Sequence, residues 1–180
     1  ADALAAGDPE GWLSPPAAPE HPIRVLGNTA VVIAAGTSGS SVKNCTLEAA
    51  LTTIQISTGV THTLIEGNAH DTVSTIGEPA ILAMGAGPGT EILANWLGAS
   101  AQIRLIATPG ALVQGNTFRH RVGSLVLLRG AATTSNQLLS NRMDVAADSW
   151  GAFHPLNGPS GNIAADNMIV CGSVIGVGWL

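Results

Sequence analysis

The sequence predicts an all-β protein in which short parallel strands stack as the coils of a solenoid. Three observations lead there. Two apolar residues followed closely by an asparagine recur along the chain, as in "RVLGNTAV", "SSVKNCTL", "TLIEGNAH", "EILANWLG", "ALVQGNTF", "QLLSNRMD" and "NIAADNMI". A second short segment rich in Val, Ile and Leu follows each of them at a turn or two's distance. The composition suits many short strands and frequent reversals: 46% hydrophobic, 11% charged, 22 Gly and 10 Pro in 180 residues.

The repeat sets the length of a coil. The asparagines are Asn28, Asn44, Asn68, Asn95, Asn116, Asn141 and Asn167, spaced by 16, 24, 27, 21, 25 and 26 residues. Apart from the first, the spacings cluster near 25, a solenoid period. A helical repeat would place apolar residues at i, i+3, i+4 and i+7, and they do not fall there. The segments after each asparagine instead alternate apolar with polar, as in "TIQI" and "QIRL", or run through Val and Ile, as in "AVVIAA" and "SLVLLRG". That is strand chemistry. The segment after Asn141, "WGAFHPL", is the most degenerate; after Asn167 comes "SVIGVGW". Each coil therefore holds at least two strands, and parallel stacking raises the chain by about 4.8 Å per coil.

The asparagine itself has two uses at a bend. Its short polar side chain tolerates the left-handed backbone of a sharp turn. Stacked coil on coil, the amides can bond one another as a ladder. The expected members are Asn44, Asn68, Asn95, Asn116, Asn141 and Asn167.

These units resemble the right-handed parallel β-helix superfamily, the pectin-lyase-like fold, from about Val25 to Leu180. The resemblance implies an all-β, right-handed parallel β-helix of about seven short coils over residues 25–180. The superfamily holds polysaccharide lyases, glycoside hydrolases and epimerases alongside bacteriophage tail spikes and fibres, and the fold does not choose among them.

Residues 1–24 stand outside the repeat. "GDPEGWLSPPAAPEHP" holds five of the ten prolines, which break strands and helices alike. They are expected to form an extended arm or cap, with Trp12 and Leu13 as an apolar pair for an assembly contact. Trp179 and Leu180 are expected to close the last coil or enter an interface. The opening residues lack the basic and apolar regions of a signal peptide. No apolar run reaches the roughly 18 residues of a bilayer span, and membrane insertion is not expected.

Net charge is −5 with no basic stripe, so nucleic acid is not an expected partner. Charged candidates for a site are few: His70 and Asp71 in "GNAHDT", Arg119, His120 and Arg121 in "FRHRV", and Arg142, Asp144 and Asp148 in "NRMDVAAD". Asp71, Arg119 and Asp144 each fall three residues after their asparagine. They should share one lateral position, suited either to a sugar or to a surface ion pair between Arg119 and Asp144. If the protein were an enzyme, these three would be the catalytic candidates. No cofactor is implied, and no metal-type spacing of His, Cys, Asp or Glu is present. His62, His120 and His154 read as structural, and the glycine-rich "MGAGPGT" as a turn. The sequon "NCT" begins at Asn44, a residue the ladder would occupy. Cys45 and Cys171, five coils apart, should remain unpaired.

The resemblance implies longer helices and large inserted loops for the superfamily's enzymes, so the short chain of about seven coils, its small-residue turns and its proline-rich arm favour a non-enzymatic virion structural protein of the tail spike, fibre or capsid decoration type. Its expected partners are further copies of itself, as a homo-oligomer such as a trimer, other virion proteins, and surface glycan of a host. The expected location is the virion, with a secreted or cell-surface protein as the alternative. The competing function is a polysaccharide lyase or glycoside hydrolase with a groove along the helix.

Overall fold

Strand-forming residues recur every coil because each turn of the chain must bury its own apolar residues on those of its neighbours. The computed structural model describes residues 23–24, 28–72, 78–98, 102–121, 124–145 and 151–171. It opens with β1 (Ile23–Arg24). Six coils of three strands follow. The first is β2 (Thr29–Ile33), β3 (Ser41–Lys43) and β4 (Thr46–Ala49). The second is β5 (Thr52–Ile56), β6 (Thr63–Glu66) and β7 (Ala69–Thr72). The third is β8 (Ile81–Met84), β9 (Thr90–Leu93) and β10 (Trp96–Leu97). The fourth is β11 (Ile103–Ile106), β12 (Leu112–Gln114) and β13 (Thr117–Arg121). The fifth is β14 (Ser124–Arg129), β15 (Gln137–Leu139) and β16 (Arg142–Val145), and the sixth β17 (Gly151–Leu156), β18 (Ile163–Ala165) and β19 (Met168–Cys171).

Every third strand stacks in parallel, giving three sheets that form the walls of the solenoid. Sheet A has the order β1-β4-β7-β10-β13-β16-β19, sheet B β2-β5-β8-β11-β14-β17 and sheet C β3-β6-β9-β12-β15-β18. β2 and β17 are five steps apart, so the described residues form six coils, about five turns between equivalent strands, where seven coils were expected. Each coil carries three strands. Ile23 and Arg24, assigned to the arm by the sequence, pair with Leu47 and Glu48 and so belong to sheet A. Trp12, Leu13, Trp179 and Leu180 lie outside the described residues, as does Asp148.

The interior is built from rows of like residues in register. Sheet B contributes Ile54, Ile81, Ile103 and Val126; sheet C contributes Ile65, Ile92, Val113 and Leu138; all are fully or almost fully buried. Burying one such side chain contributes roughly 1.5–3 kcal/mol. A single three- to five-residue strand could not hold itself, but each coil caps the apolar rows of the next.

The corners explain the spacing of the sequence. At the bend from sheet C to sheet A, the residue in the left-handed region is the one before the ladder position. These are Asn44 (φ 51°), Gly67 (65°), Ala94 (51°), Gly115 (65°), Ser140 (52°) and Asp166 (56°). The expectation that the ladder asparagines take this conformation is therefore corrected. Only Asn44 does so, and it is not a ladder member. Asn28 is also displaced. It sits at the corner before β2, where its carbonyl accepts from the N–H groups of Leu51 and Thr52, which accounts for the odd first spacing of 16. A side chain in the left-handed region costs roughly 1 kcal/mol or more that glycine avoids. Ala94→Gly should therefore relieve about 1–2 kcal/mol of strain, against about 0.4–1 kcal/mol from the glycine's extra unfolded-state entropy, and leave the protein as stable or more so; a lower urea midpoint would count against this corner geometry.

Candidate functional site

The ladder is the best-defined polar feature of the interior. Asn68 Nδ2 donates to Asn95 Oδ1 at 3.0 Å, Asn95 Nδ2 to Asn116 Oδ1 at 3.0 Å, Asn116 Nδ2 to Asn141 Oδ1 at 3.0 Å and Asn141 Nδ2 to Asn167 Oδ1 at 2.9 Å. Each acceptor oxygen also takes the backbone N–H of the asparagine one coil earlier, as Asn116 Oδ1 does from Asn95 N at 2.9 Å. Each amide further donates to a carbonyl of the neighbouring sheet C strand, as Asn116 does to Ile92 at 2.8 Å. Asn44 takes no part. Its place is filled by Cys45, whose N–H donates to Asn68 Oδ1 at 3.0 Å. The sequon asparagine is thus exposed rather than occupied by the ladder. A second, shorter ladder joins Asn136 to Asn162 at 2.9 Å, at the corner between sheets B and C. It is visible in the sequence as an asparagine five residues before Asn141 and before Asn167, a pattern the sequence reading passed over.

Cys45 is unpaired, and β4 and β19, which neighbour Cys45 and end in Cys171, lie five steps apart in sheet A. Five steps are about 24 Å, against the roughly 7 Å limit between Cα atoms of a disulfide. Titration of the denatured, unreduced protein should find two thiols per chain; none, without an intermolecular dimer, would break the coil register.

Of the charged candidates, Asp71, Arg119, Arg142 and Asp144 lie on the outer face of sheet A. Its register aligns Arg24, Glu48 and Asp71, then Gly98, then Arg119 and Asp144, in one row. Asp71 and Arg119 are exposed and Asp144 is half-buried. The lateral alignment read from the repeat therefore exists, with one irregularity. Phe118 pairs with Met143 and Arg121 with Val145, so Arg119 and His120 together oppose Asp144 across a bulge. A bulge bends the strand and re-aims its side chains at this point. Asp71 and Asp144 are three steps apart, about 14 Å. His70 does not accompany Asp71. It faces inward, fully buried, between Leu47 and Leu97. Its Nδ1 is 2.7 Å from Thr53 Oγ1 and its Nε2 is 3.4 Å from Asn95 Oδ1. Burial pushes its pKa down to about 4, with the Asn95 contact opposing the shift.

The sequence reading missed Trp96. In the outward row beside the charges run Thr46, Ala69, Trp96, Thr117, Arg142 and Met168. The indole of Trp96 is half-buried and leans over Gly98. A Cβ at position 98 would come 3.1 Å from Trp96 Cζ3 and 3.3 Å from Cη2. Gly98 thus makes room for the ring in the row that otherwise carries charge. Asp71 and Arg119 stand one strand step to either side, about 9.6 Å apart along the sheet. The chemistry assembled here is an aromatic surface between an acid and a guanidinium. The clue lay in "NWLG", where Gly98 takes the same offset from its asparagine as Asp71, Arg119 and Asp144.

Among the described residues, no group of three or more His, Cys, Asp and Glu could hold a metal ion, and no helix is long and apolar enough to cross a membrane. The class of protein defined here is a parallel β-solenoid whose sheet A wall sets Trp96 among charged residues. No protein family, curated protein or solved structure matches the chain.

Proposed function

We propose that the chain is a non-enzymatic structural solenoid of a virion, of the tail spike, fibre or decoration type, and that the outer face of sheet A contacts surface glycan. The resemblance to the pectin-lyase-like superfamily, with its bacteriophage members, supplies the setting. The observation that carries the glycan contact is Trp96 over Gly98, flanked by Asp71 and Arg119. A sugar ring has an apolar C–H face that packs on an indole, and hydroxyl groups at its rim that bond carboxylate and guanidinium. Asp71 and Asp144 are too far apart for the two-carboxylate geometry of glycoside hydrolysis, which needs roughly 5–9.5 Å.

One observation favours the alternative of a lyase or hydrolase. Glu48 and Asp71 are direct neighbours in the sheet A register, a single strand step apart. One experiment separates the readings. The purified protein is offered neutral and acidic oligosaccharides, with binding measured by calorimetry and ligand mass by spectrometry. Structural contact predicts a bound glycan of unchanged mass, an oligomer by sedimentation, and at least about tenfold weaker binding for Trp96→Ala, equivalent to about 1.4 kcal/mol. Shortened glycan would establish the enzyme instead; no binding by any glycan would remove sheet A as a contact face.

A further inference from the structure

The outer face of sheet B is more apolar than a solvent-facing wall requires. Val32, Leu82, Met84, Ile106, Leu127 and Leu156 lie in two adjacent outward rows. Val32 is 57% exposed, Met84 43% and Leu156 37%, three of the five exposed large apolar side chains among the described residues. The other two, Ile163 and Met168, lie in the last coil on sheets C and A; sheet C also turns Leu64, Leu93, Leu112 and Leu139 outward, all half-buried, among Lys43, Glu66, Glu91, Gln114 and Gln137. None of the sheet B residues is needed by the interior, whose rows point the other way. Leu82, Met84 and Ile106 adjoin one another, with Gln55, Arg104, Arg129 and His154 interspersed along the rows, and exposed apolar surface gathered in this way marks a contact.

We infer that the outer face of sheet B is covered by the chain's own N-terminal segment, residues 1–22. Three features of that segment fit the face. Its apolar pair, Trp12 and Leu13, suits a surface of Leu, Ile and Met. Its charge is complementary: it carries Asp2, Asp8, Glu10 and Glu20 and no Lys or Arg. The face carries exposed Arg129 and half-buried Arg104, close enough to repel one another. Glu78 lies beside Arg104, Gln102 Oε1 accepts from Arg104 Nη2 at 3.0 Å, and His154 ends the row. Arg129 is then the cation left for the segment's acids. Its five prolines decide how it binds. Proline lacks the N–H that an added edge strand must donate, so the segment is unsuited to extending a sheet at the end of the solenoid. Lying across side chains on a face makes no such demand.

The reach is sufficient. The segment joins the solenoid at β1, and the six residues 23–28 lead from there to β2, the first strand of sheet B. Fully extended, those six span about 20 Å. Leu82 and Met84 lie two coils above β2, about 10 Å further along the axis. Trp12 is ten residues before Pro22, which allows about 31 Å in an extended proline-rich conformation. The resultant of the two displacements, about 22 Å, is within that radius.

The test uses the full chain with Trp12 replaced by the photocrosslinker p-benzoylphenylalanine, irradiated at low concentration and mapped by peptide mass spectrometry. Crosslinks within one chain to the strands holding Leu82, Met84, Leu127 or Arg129 are expected. Arg129→Glu should lower their yield at least fivefold; should it disturb the β-type circular dichroism, Arg129→Gln takes its place with a smaller reduction. Crosslinks to sheets A or C, to a second chain, or at a yield indifferent to residue 129 would overturn the assignment. So would a yield no higher than that of the same photocrosslinker placed at exposed Gln114.

Discussion

Asn116→Leu will destabilise the protein by about 3–5 kcal/mol, lowering the melting temperature on the order of 10 °C. The substitution removes one amide from the middle of the ladder and orphans groups in two coils. Asn95 loses the acceptor of both its backbone N–H, at 2.9 Å, and its side-chain Nδ2, at 3.0 Å. The carbonyl of Ile92 loses a donor at 2.8 Å. These groups are buried in a stack with no route to water, and each unsatisfied one costs roughly 1–3 kcal/mol. Asn141 Oδ1 keeps the backbone N–H of residue 116, which limits the damage on that side. Asn162→Leu takes the acceptor from buried Asn136 and the donor from the Thr133 carbonyl, but Asn162 is itself half-buried, so water replaces part of the loss and the cost should be about 1–3 kcal/mol. Thermal unfolding of the two variants beside the parent checks both. Equal melting temperatures for Asn116→Leu and the parent would mean that the ladder records the fold without stabilising it.

The second large effect is acid sensitivity centred on His70. In the unfolded chain an imidazole titrates near 6.5; in the solenoid burial holds it at about 4. Below pH 6.5 the unfolded state therefore takes up a proton that the folded state refuses. The stability contributed by the neutral ring is complete above pH 6.5 and drains away as pH falls toward 4, to a total of about 3 kcal/mol. His70→Leu should abolish that component. Leucine matches Leu47 and Leu97, the neighbours of His70 in its inward row. Neither former partner is orphaned, since Thr53 Oγ1 still donates to the Ala80 carbonyl and Asn95 Oδ1 still accepts from Asn68. The variant should match the parent at pH 7 to within about 1 kcal/mol and exceed it by about 3 kcal/mol at pH 4. Parallel stability curves from pH 7 to pH 4 would show that His70 is protonated inside the fold, contrary to its burial.

His70 also shows why one wall of the solenoid was hard to read. Sheets B and C announce themselves through Val, Ile and Leu at inward positions, as in "TTIQI" and "TLIE". Sheet A includes "AHDT", with a histidine inward and an aspartate outward, and "WL", only two residues long. Neither carries the alternation that marks a strand, so the third strand of each coil was absorbed into the bend. The degenerate "WGAFHPL" was the opposite case. Its strand, β17, pairs along most of β14 because backbone hydrogen bonds and Phe153 hold it where the apolar pattern is weak. The site was legible in part. The offset of three residues from the asparagine put Asp71, Arg119 and Asp144 in one row, while Trp96 stayed hidden because its importance depends on a glycine beside it.

By itself, the sequence determined the coil period, the all-β class and the asparagine ladder from Asn68 to Asn167. Each coil must carry its own strand formers, turn residues and ladder amide, so the local chemistry is written again about every 25 residues. Only the tertiary structure decided that there are three walls, that Cys45 rather than Asn44 begins the ladder, and that Trp96 lies over Gly98 between Asp71 and Arg119. These are lateral relations between coils. They depend on how the turns set the register of one coil on the next, and a shift of one residue turns an inward side chain outward.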